Sequence, residues 1–444
     1  MAFTLFSCAQ EEVMLDEKGP KHEVSLTMSF TLASDLDTRA TRPLESIDAW
    51  QRVTNMRVYV FRSNDGEEGP FNLYYPEIKG ANGELQKLNY FHIPEFDKGY
   101  GDENIWKEPE DEQYEYTISP MLDEGYYRFL AVGFDDPELS PVKLNWTEET
   151  TWEKAILSNS GNTPDASEIF TGYPRNADGE VETIKIDSKT KELSKEIKCR
   201  RAVAGVLLYL KNIPVKCKAE HDWYGDEIGT GNAGPTIIKG TECDIHEVAL
   251  VTVGHNSNCN AVSRLWENDF KLDNSGFRLT RLAWFELDPE GEEVNNGYHE
   301  KIFPAVGNFV MPSETSTVKE KPLIIKSEDE FWTPQTLTFD KSLYLCFFTK
   351  IGNDYYPVKF WPVKLVRSNI QDEESEDFCA GDLNLQPDNP FNYNLVANHL
   401  YCLGMKGETI DKPVDLKKEE EEHGDDPLKI VVIGNWQYEI NIEM

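Results

Sequence analysis

The chain has 444 residues, which at roughly 150 residues per domain allows two or three domains with sizeable cores. Lys and Arg number 44 against 80 Asp and Glu, a formal net charge of -36, and this balance argues strongly against a nucleic-acid binder, which needs a basic face to neutralise phosphates. No run approaches the roughly 20 apolar residues of a membrane-crossing helix, and 11% aromatics with 29 Gly and 24 Pro point to many short strands joined by turns.

The chain opens with an apolar stretch, Met1 to Cys8, whose Leu5-Phe6-Ser7-Cys8 resembles a bacterial lipobox. In a lipobox the small residue before Cys permits cleavage and the thiol is acylated, with palmitate-type chains. Cys8 is therefore the candidate lipidation site. Two acyl chains anchor stably because each buried CH₂ contributes about 0.8 kcal/mol. A basic n-region and most of an h-region are missing. The segment reads either as the end of a signal whose start lies upstream or as an ordinary apolar N-terminus. Residues 9–21 are polar and read as a tether.

Val24, Leu26, Met28, Phe30 and Leu32 then alternate with Ser25, Thr27, Ser29 and Thr31, the period of a half-buried strand. Residues 34–45, with Pro43 and the arginines Arg39 and Arg42, read as an exposed loop. A second strand is predicted at 56–61. Residues 63–115 read as long loops and short strands, and 126–134 as a strong strand. Thr147 to Leu157 is the best helix candidate, because Thr147 and the acidic residues after it suit a helix N-terminus. Another strand follows at 181–186.

The charged, apolar-poor stretch 187–198 marks a boundary between an N-terminal domain, 22–192, and a C-terminal domain, 193–416. Ala202, Ala204, Val206, Leu208 and Leu210 are predicted to share one face of the next strand. Further strands are expected near 244–253, 278–287, 323–326, 343–350, 355–366 and 392–405. Residues 417–426 read as a charged linker. Beyond it, Leu428, Ile430, Val432, Trp436, Tyr438, Ile440, Ile442 and Met444 alternate as one terminal ribbon, broken only by Gly434. Regular turns and scarce helical periodicity predict an all-β chain of β-sandwich domains with little helix.

Signals of chemistry are weak. There is no G-x-S-x-G, H-E-x-x-H, Walker loop or dinucleotide fingerprint, so no catalytic residue, cofactor or metal site is assigned. Gly229 to Gly234 reads as a surface loop. His246 and His255 lie near Cys243, Asp244 and Cys259, but the spacing matches no metal-ligand pattern. The eight cysteines contain no C-x-x-C pair. Cys346 is expected to be a buried thiol. Cys243 and Cys259 are either free or joined by a local disulfide. Trp223-Tyr224 and Tyr74-Tyr75 either pack within loops or stack on sugar rings.

Taken in order, several motifs resemble the fimbrillin family, the subunits and anchors of Bacteroidetes type V pili. They are Leu5-Phe6-Ser7-Cys8, Thr38-Arg39-Ala40-Thr41-Arg42, Gly125-Tyr126-Tyr127, Glu168-Ile169-Phe170-Thr171-Gly172, Arg200-Arg201-Ala202-Val203-Ala204-Gly205, Ala397-Asn398-His399-Leu400-Tyr401-Cys402 and Asn435-Trp436. The resemblance implies two tandem transthyretin-like Greek-key β-sandwich domains and no enzymatic activity. It implies an outer-membrane lipoprotein at the cell surface, with Gln10-Glu11-Glu12 matching an acidic export tag. Partners would be other fimbrial subunits and a surface glycan or protein receptor.

The family's assembly uses proteolysis and strand exchange. Here that implies cleavage after Arg39, with Arg42 disfavoured by the following Pro43. The strand Val24–Leu32 would then be lost, and its groove would be filled by a donor such as Leu428–Met444. The resemblance leaves an uncleaved anchor or a glycan-binding adhesin as alternatives. The other reading is that both terminal segments complete the chain's own sandwiches.

Overall fold

A computed structural model describes residues 20–33, 53, 55–80, 82–93, 114–134, 142–159, 165–166, 168–227, 237–253, 258–264, 279–289, 294–312, 325–326, 330–334, 343–367, 376–377, 395–406, 411–424, 426–433 and 439–443. Cys8, Arg39, Arg42, Gly229–Gly234, His255, Trp436 and Tyr438 lie outside them. The described chain is nearly all β. Its principal strands are β1 (Ser25–Ala33), β2 (Asn55–Ser63), β3 (Gly125–Phe134), β4 (Phe170–Gly172), β5 (Glu196–Arg201), β6 (Ala204–Leu208) and β7 (Glu247–Val253). They continue with β8 (Leu279–Glu286), β9 (Val306–Val310), β10 (Leu343–Ile351), β11 (Asp354–Arg367) and β12 (Leu400–Leu403). Helix α1 (Leu416–His423) precedes the last two strands, β13 (Leu428–Ile433) and β14 (Glu439–Glu443).

Two large sheets organise the molecule. The first runs β1–β14–β5–β4–β3–β2, and the second β9–β6–β12–β13–β11–β10–β7–β8. Apart from the short strand Asp165–Ala166, which pairs with β9, the chain passes from the first to the second between Arg201 and Ala204, and returns between β13 and β14.

The apolar runs make sense once both faces of these sheets are seen to be covered. Along β2, Met56, Val58 and Val60 enter a core with Val24, Leu26 and Met28, while Tyr59 and Phe61 on the opposite face enter a separate core. That separate core is the joint between the two sheets, for it also holds Leu207, Tyr209, Phe309 and Leu400. β6 divides in the same way: Ala204, Val206 and Leu208 face the second sheet's own core and Leu207 the joint. A strand buried on both faces loses the clean apolar–polar alternation of a half-exposed one. Ala202, expected on the face of Val206, lies instead in the joint, because β6 begins only after the bend that follows Arg201.

At that bend the Arg201 guanidinium meets the Glu168 carboxylate at 2.6 Å, both nearly inaccessible to solvent, and stacks over the Phe170 ring at 5.2 Å. Farther along the first sheet, the Tyr127 hydroxyl donates to the Asp123 carbonyl at 2.6 Å. This is the tyrosine-corner geometry of sandwich folds.

Two expectations need correction. Thr147 to Leu157 is not a helix. It forms a turn in which Thr147 N–H donates to Thr150 Oγ1 at 2.9 Å, a 3₁₀ turn over Trp152–Lys154, and the strand Ile156–Asn159. Trp152, Ala155 and Leu157 are each drawn into the joint, and that burial outweighs the N-terminal helix signal. The charged linker is helical over most of its length. Asp415 caps α1 by accepting from Lys418 N–H, Leu416 is buried, and Gly424 ends the helix at φ +61°. Glu and Lys are good helix formers, so a charged stretch framed by Asp and Gly closes into a helix. Among the described residues no helix is long and apolar enough to cross a membrane.

Candidate functional site: the first strand and its slot

β1 is held on both edges. Leu26, Thr27, Met28, Ser29 and Phe30 pair antiparallel with Ile118, Thr117, Tyr116, Glu115 and Tyr114. On the other edge Ser25 and Leu26 pair parallel with Glu192 and Leu193. Beyond Met28 the partner on that edge changes to β14, with Phe30 opposite Ile442 and Leu32 opposite Ile440. Val24, Leu26 and Met28 are fully buried, and Ser25 and Thr27 between them are half-buried. The alternation read from sequence thus sets the orientation of this strand.

Its entry is latched by polar contacts. Strand Lys21–Glu23 pairs with Met121–Asp123. Lys21 meets Glu77 at 2.6 Å, Lys79 meets Glu23 at 2.6 Å, and His22 Nε2 lies 2.8 Å from Glu124 Oε1. Beneath these contacts the buried Asp123 accepts from the Tyr74 hydroxyl at 3.0 Å and from Arg62 at 3.4 Å. Burial, followed by the Asp123 charge, pushes the Tyr74 hydroxyl above its ordinary range.

The C-terminal ribbon is not one strand. β13 sits inside the second sheet, antiparallel to β12 and parallel to β11, with Leu428 and Ile430 in that sheet's core. β14 sits inside the first sheet between β1 and β5. Ile442 lies opposite Phe30 on one side and Ile197 on the other, and Ile440 opposite Leu32 and Cys199. The structure therefore brings Phe30, Leu32, Ile440 and Ile442 into two adjacent cross-strand rows and leaves Ile430 and Val432 in the other sheet. Both halves of the ribbon pair within their own chain.

The wall of the slot is a feature that charge obscured. Glu196 to Arg201 alternates exposed Glu196, Lys198 and Arg200 with buried Ile197, Cys199 and Arg201. This period-two signal begins inside the stretch 187–198, read as a charged boundary, and runs out of it to Arg201. Gly172 brings β4 tightly against β5: a Cβ there would stand 2.5 Å from the Lys198 carbonyl oxygen and 2.8 Å from Cys199 Cα.

Other candidates resolve differently. Trp223 is fully buried, its indole N–H donating to the Pro357 carbonyl at 2.9 Å, so it presents no ring to a sugar. His246 Nδ1 accepts from the Lys350 N–H at 3.2 Å. Among the described residues no group of three or more His, Cys, Asp or Glu is placed to hold a metal ion. Cys243 and Cys259 are not joined: Cys259 lies in the joint and Cys243 on the strand Glu242–Asp244. Cys346 is buried, and burial raises its thiol well above the usual range.

No family model matches the chain, and no curated protein matches it. Among solved structures, the chain is similar to the fimbrial anchor protein Mfa2 of Porphyromonas gingivalis. The identity is 8%, covering 86% of this chain and 90% of that one, with a TM-score of 0.29. It is similar to the tip fimbrial protein Mfa3 of the same organism, with 10% identity, coverage of 86% and 94%, and a TM-score of 0.26. It is also similar to a candidate adhesin of Bacteroides thetaiotaomicron, with 10% identity, coverage of 89% and 95%, and a TM-score of 0.30.

Proposed function

We propose that this chain is a cell-surface fimbrial or adhesive subunit that assembles by proteolysis-dependent β-strand exchange. Cleavage after Arg39 would sever β1 from the rest of the chain. The observation that carries the reading is the slot itself. β1 is a separable strand whose Val24, Leu26 and Met28 supply one wall of a core, and its edge neighbour is the chain's last strand.

Withdrawing those three side chains forfeits about 1.5–3 kcal/mol each, a large part of the roughly 5–15 kcal/mol that holds a domain folded. The vacated slot leaves unpaired backbone on Tyr114–Ile118 and on β14, a template for an incoming strand. A second copy's C-terminal segment fits the vacancy by alternation. Of its two halves β14 is the readier donor: loss of β1 leaves it paired on one edge only, to β5, whereas β13 stays hydrogen-bonded on both edges and carries Leu428 and Ile430 into a core. Lipidation at Cys8 would tether the precursor to the outer membrane until cleavage. An anchor that keeps β1 is the second reading, supported by the ion-pair latch at Lys21–Glu23.

Sequencing the N-terminus of surface-released protein tests the proposal. Ala40 as first residue together with SDS-resistant ladders supports the shaft role. Full-length monomer alone removes it and leaves the anchor.

A further inference from the structure

We infer that Cys217 and Cys243 form an oxidisable pair that closes to an intramolecular disulfide on contact with a small-molecule disulfide. The two residues lie directly opposite each other on the antiparallel strands Lys216–Lys218 and Glu242–Asp244. Both are free thiols here. The backbone bonds on either side, Ile245 N–H to Val215 O and Ala219 N–H to Thr241 O, each 2.9 Å, set the register. By the alternation of an antiparallel ladder they make the cysteines a hydrogen-bonded pair. Such pairs separate Cα atoms by about 5.5 Å, inside the roughly 4.4–6.8 Å that a disulfide spans, while their Cβ atoms, at about 5.5 Å, must draw in to about 3.5–4.5 Å as the bond closes. The ion pair of Lys216 with Asp244, at 3.4 Å, braces the same register. Of the other described cysteines, Cys199 belongs to the first core, Cys259 and Cys402 to the joint, and Cys346 is opposite Ala249 on one edge of β10 and Phe360 on the other.

Access orders the chemistry. Cys243 is partly exposed and Cys217 buried. The Cys243 thiolate attacks one sulfur of the small disulfide, forming a mixed disulfide and releasing one small thiolate. Cys217 gives its proton to that thiolate and attacks the Cys243 sulfur, expelling the second. Two electrons and two protons pass from the protein to the oxidant, which leaves as two thiols. Burial pushes the Cys217 thiol up to about 12, against the nearby Lys359 charge, and burial with Asp244 also raises Cys243. The exchange is therefore slow at neutral pH and is best followed under mildly alkaline conditions.

The test is incubation of the full-length chain with oxidised glutathione, acid quenching, alkylation and non-reducing peptide mapping. The expected product is a linked peptide pair carrying Cys217 and Cys243, with Cys199, Cys259, Cys346 and Cys402 recovered as alkylated thiols after unfolding. Cys217→Ser should stop at a glutathione adduct on Cys243, and Cys243→Ser should leave Cys217 a thiol. The oxidised wild type should melt several degrees above the reduced form, a gain absent from Cys243→Ser. Both cysteines still alkylatable, a wild type halted at the adduct, or a bridge from either to another cysteine would overturn the inference.

Discussion

Replacing Leu26 with alanine probes the strand on which the proposed function depends. Leu26 is fully buried, with Ile118 opposite it on one edge and Leu193 on the other. Truncation removes three carbons from a closed core, and substitutions of this kind cost about 2–5 kcal/mol. The neighbouring Thr27 points the other way, its hydroxyl 3.2 Å from that of Thr117 on a more exposed face. Thr27→Ala should cost less than about 1 kcal/mol. In urea unfolding the Leu26 variant should lose roughly 1–2 M in midpoint and the Thr27 variant a small fraction of that. After trypsin nicks the loop, the severed Leu26→Ala strand should also dissociate faster. Equal shifts, or a larger one for Thr27, would refute the assigned register and with it the buried first strand.

Glu168→Ala should destabilise the chain by about 3–5 kcal/mol, because it strands the buried Arg201 charge, whereas Glu168→Leu with Arg201→Met should recover much of the loss; a double-mutant cycle in denaturant checks this. Burial pushes the Tyr59 hydroxyl up to about 12 from the ordinary 10.0. A folded-state value raised above the unfolded one contributes stability that is present below pH 10 and lost as pH rises through about 12. Unfolding midpoints across that alkaline range should therefore fall more for wild type than for Tyr59→Phe. Asp415→Ala removes the cap of α1 together with bonds to Asn212 at 2.9 Å and Lys211 at 3.3 Å, so the loss should reach the upper part of the roughly 0.5–2 kcal/mol range for caps; thermal unfolding measures it.

The difference between what was legible and what was not follows the range of the interactions involved. Period-two alternation is local, and it placed Val24, Leu26 and Met28 on one face correctly. It also located Val206 and Leu208, and the burial of Leu428 and Ile430. Charge masks other strong local signals: the Asp415 cap and Gly424 around α1, and the Ile197–Cys199–Arg201 alternation. The helix expected at Thr147 failed for another reason. Its N-terminal signal was real, but Trp152 and Leu157 gain more by filling the joint than by following a helical period.

By itself the sequence determined the β character, the alternating faces of Val24–Met28 and Leu428–Ile430 and the absence of any strong catalytic motif, because each depends on residues a few positions apart. Only the tertiary structure decided that the terminal ribbon splits between two sheets, that Ile440 and Ile442 lie beside Phe30 and Leu32, and that Cys243 faces Cys217 rather than Cys259. Alternation states which side of a strand is apolar and carries no record of which edge will meet which. That choice is made by backbone pairing between segments far apart in the chain, once the two sheets close over their shared joint.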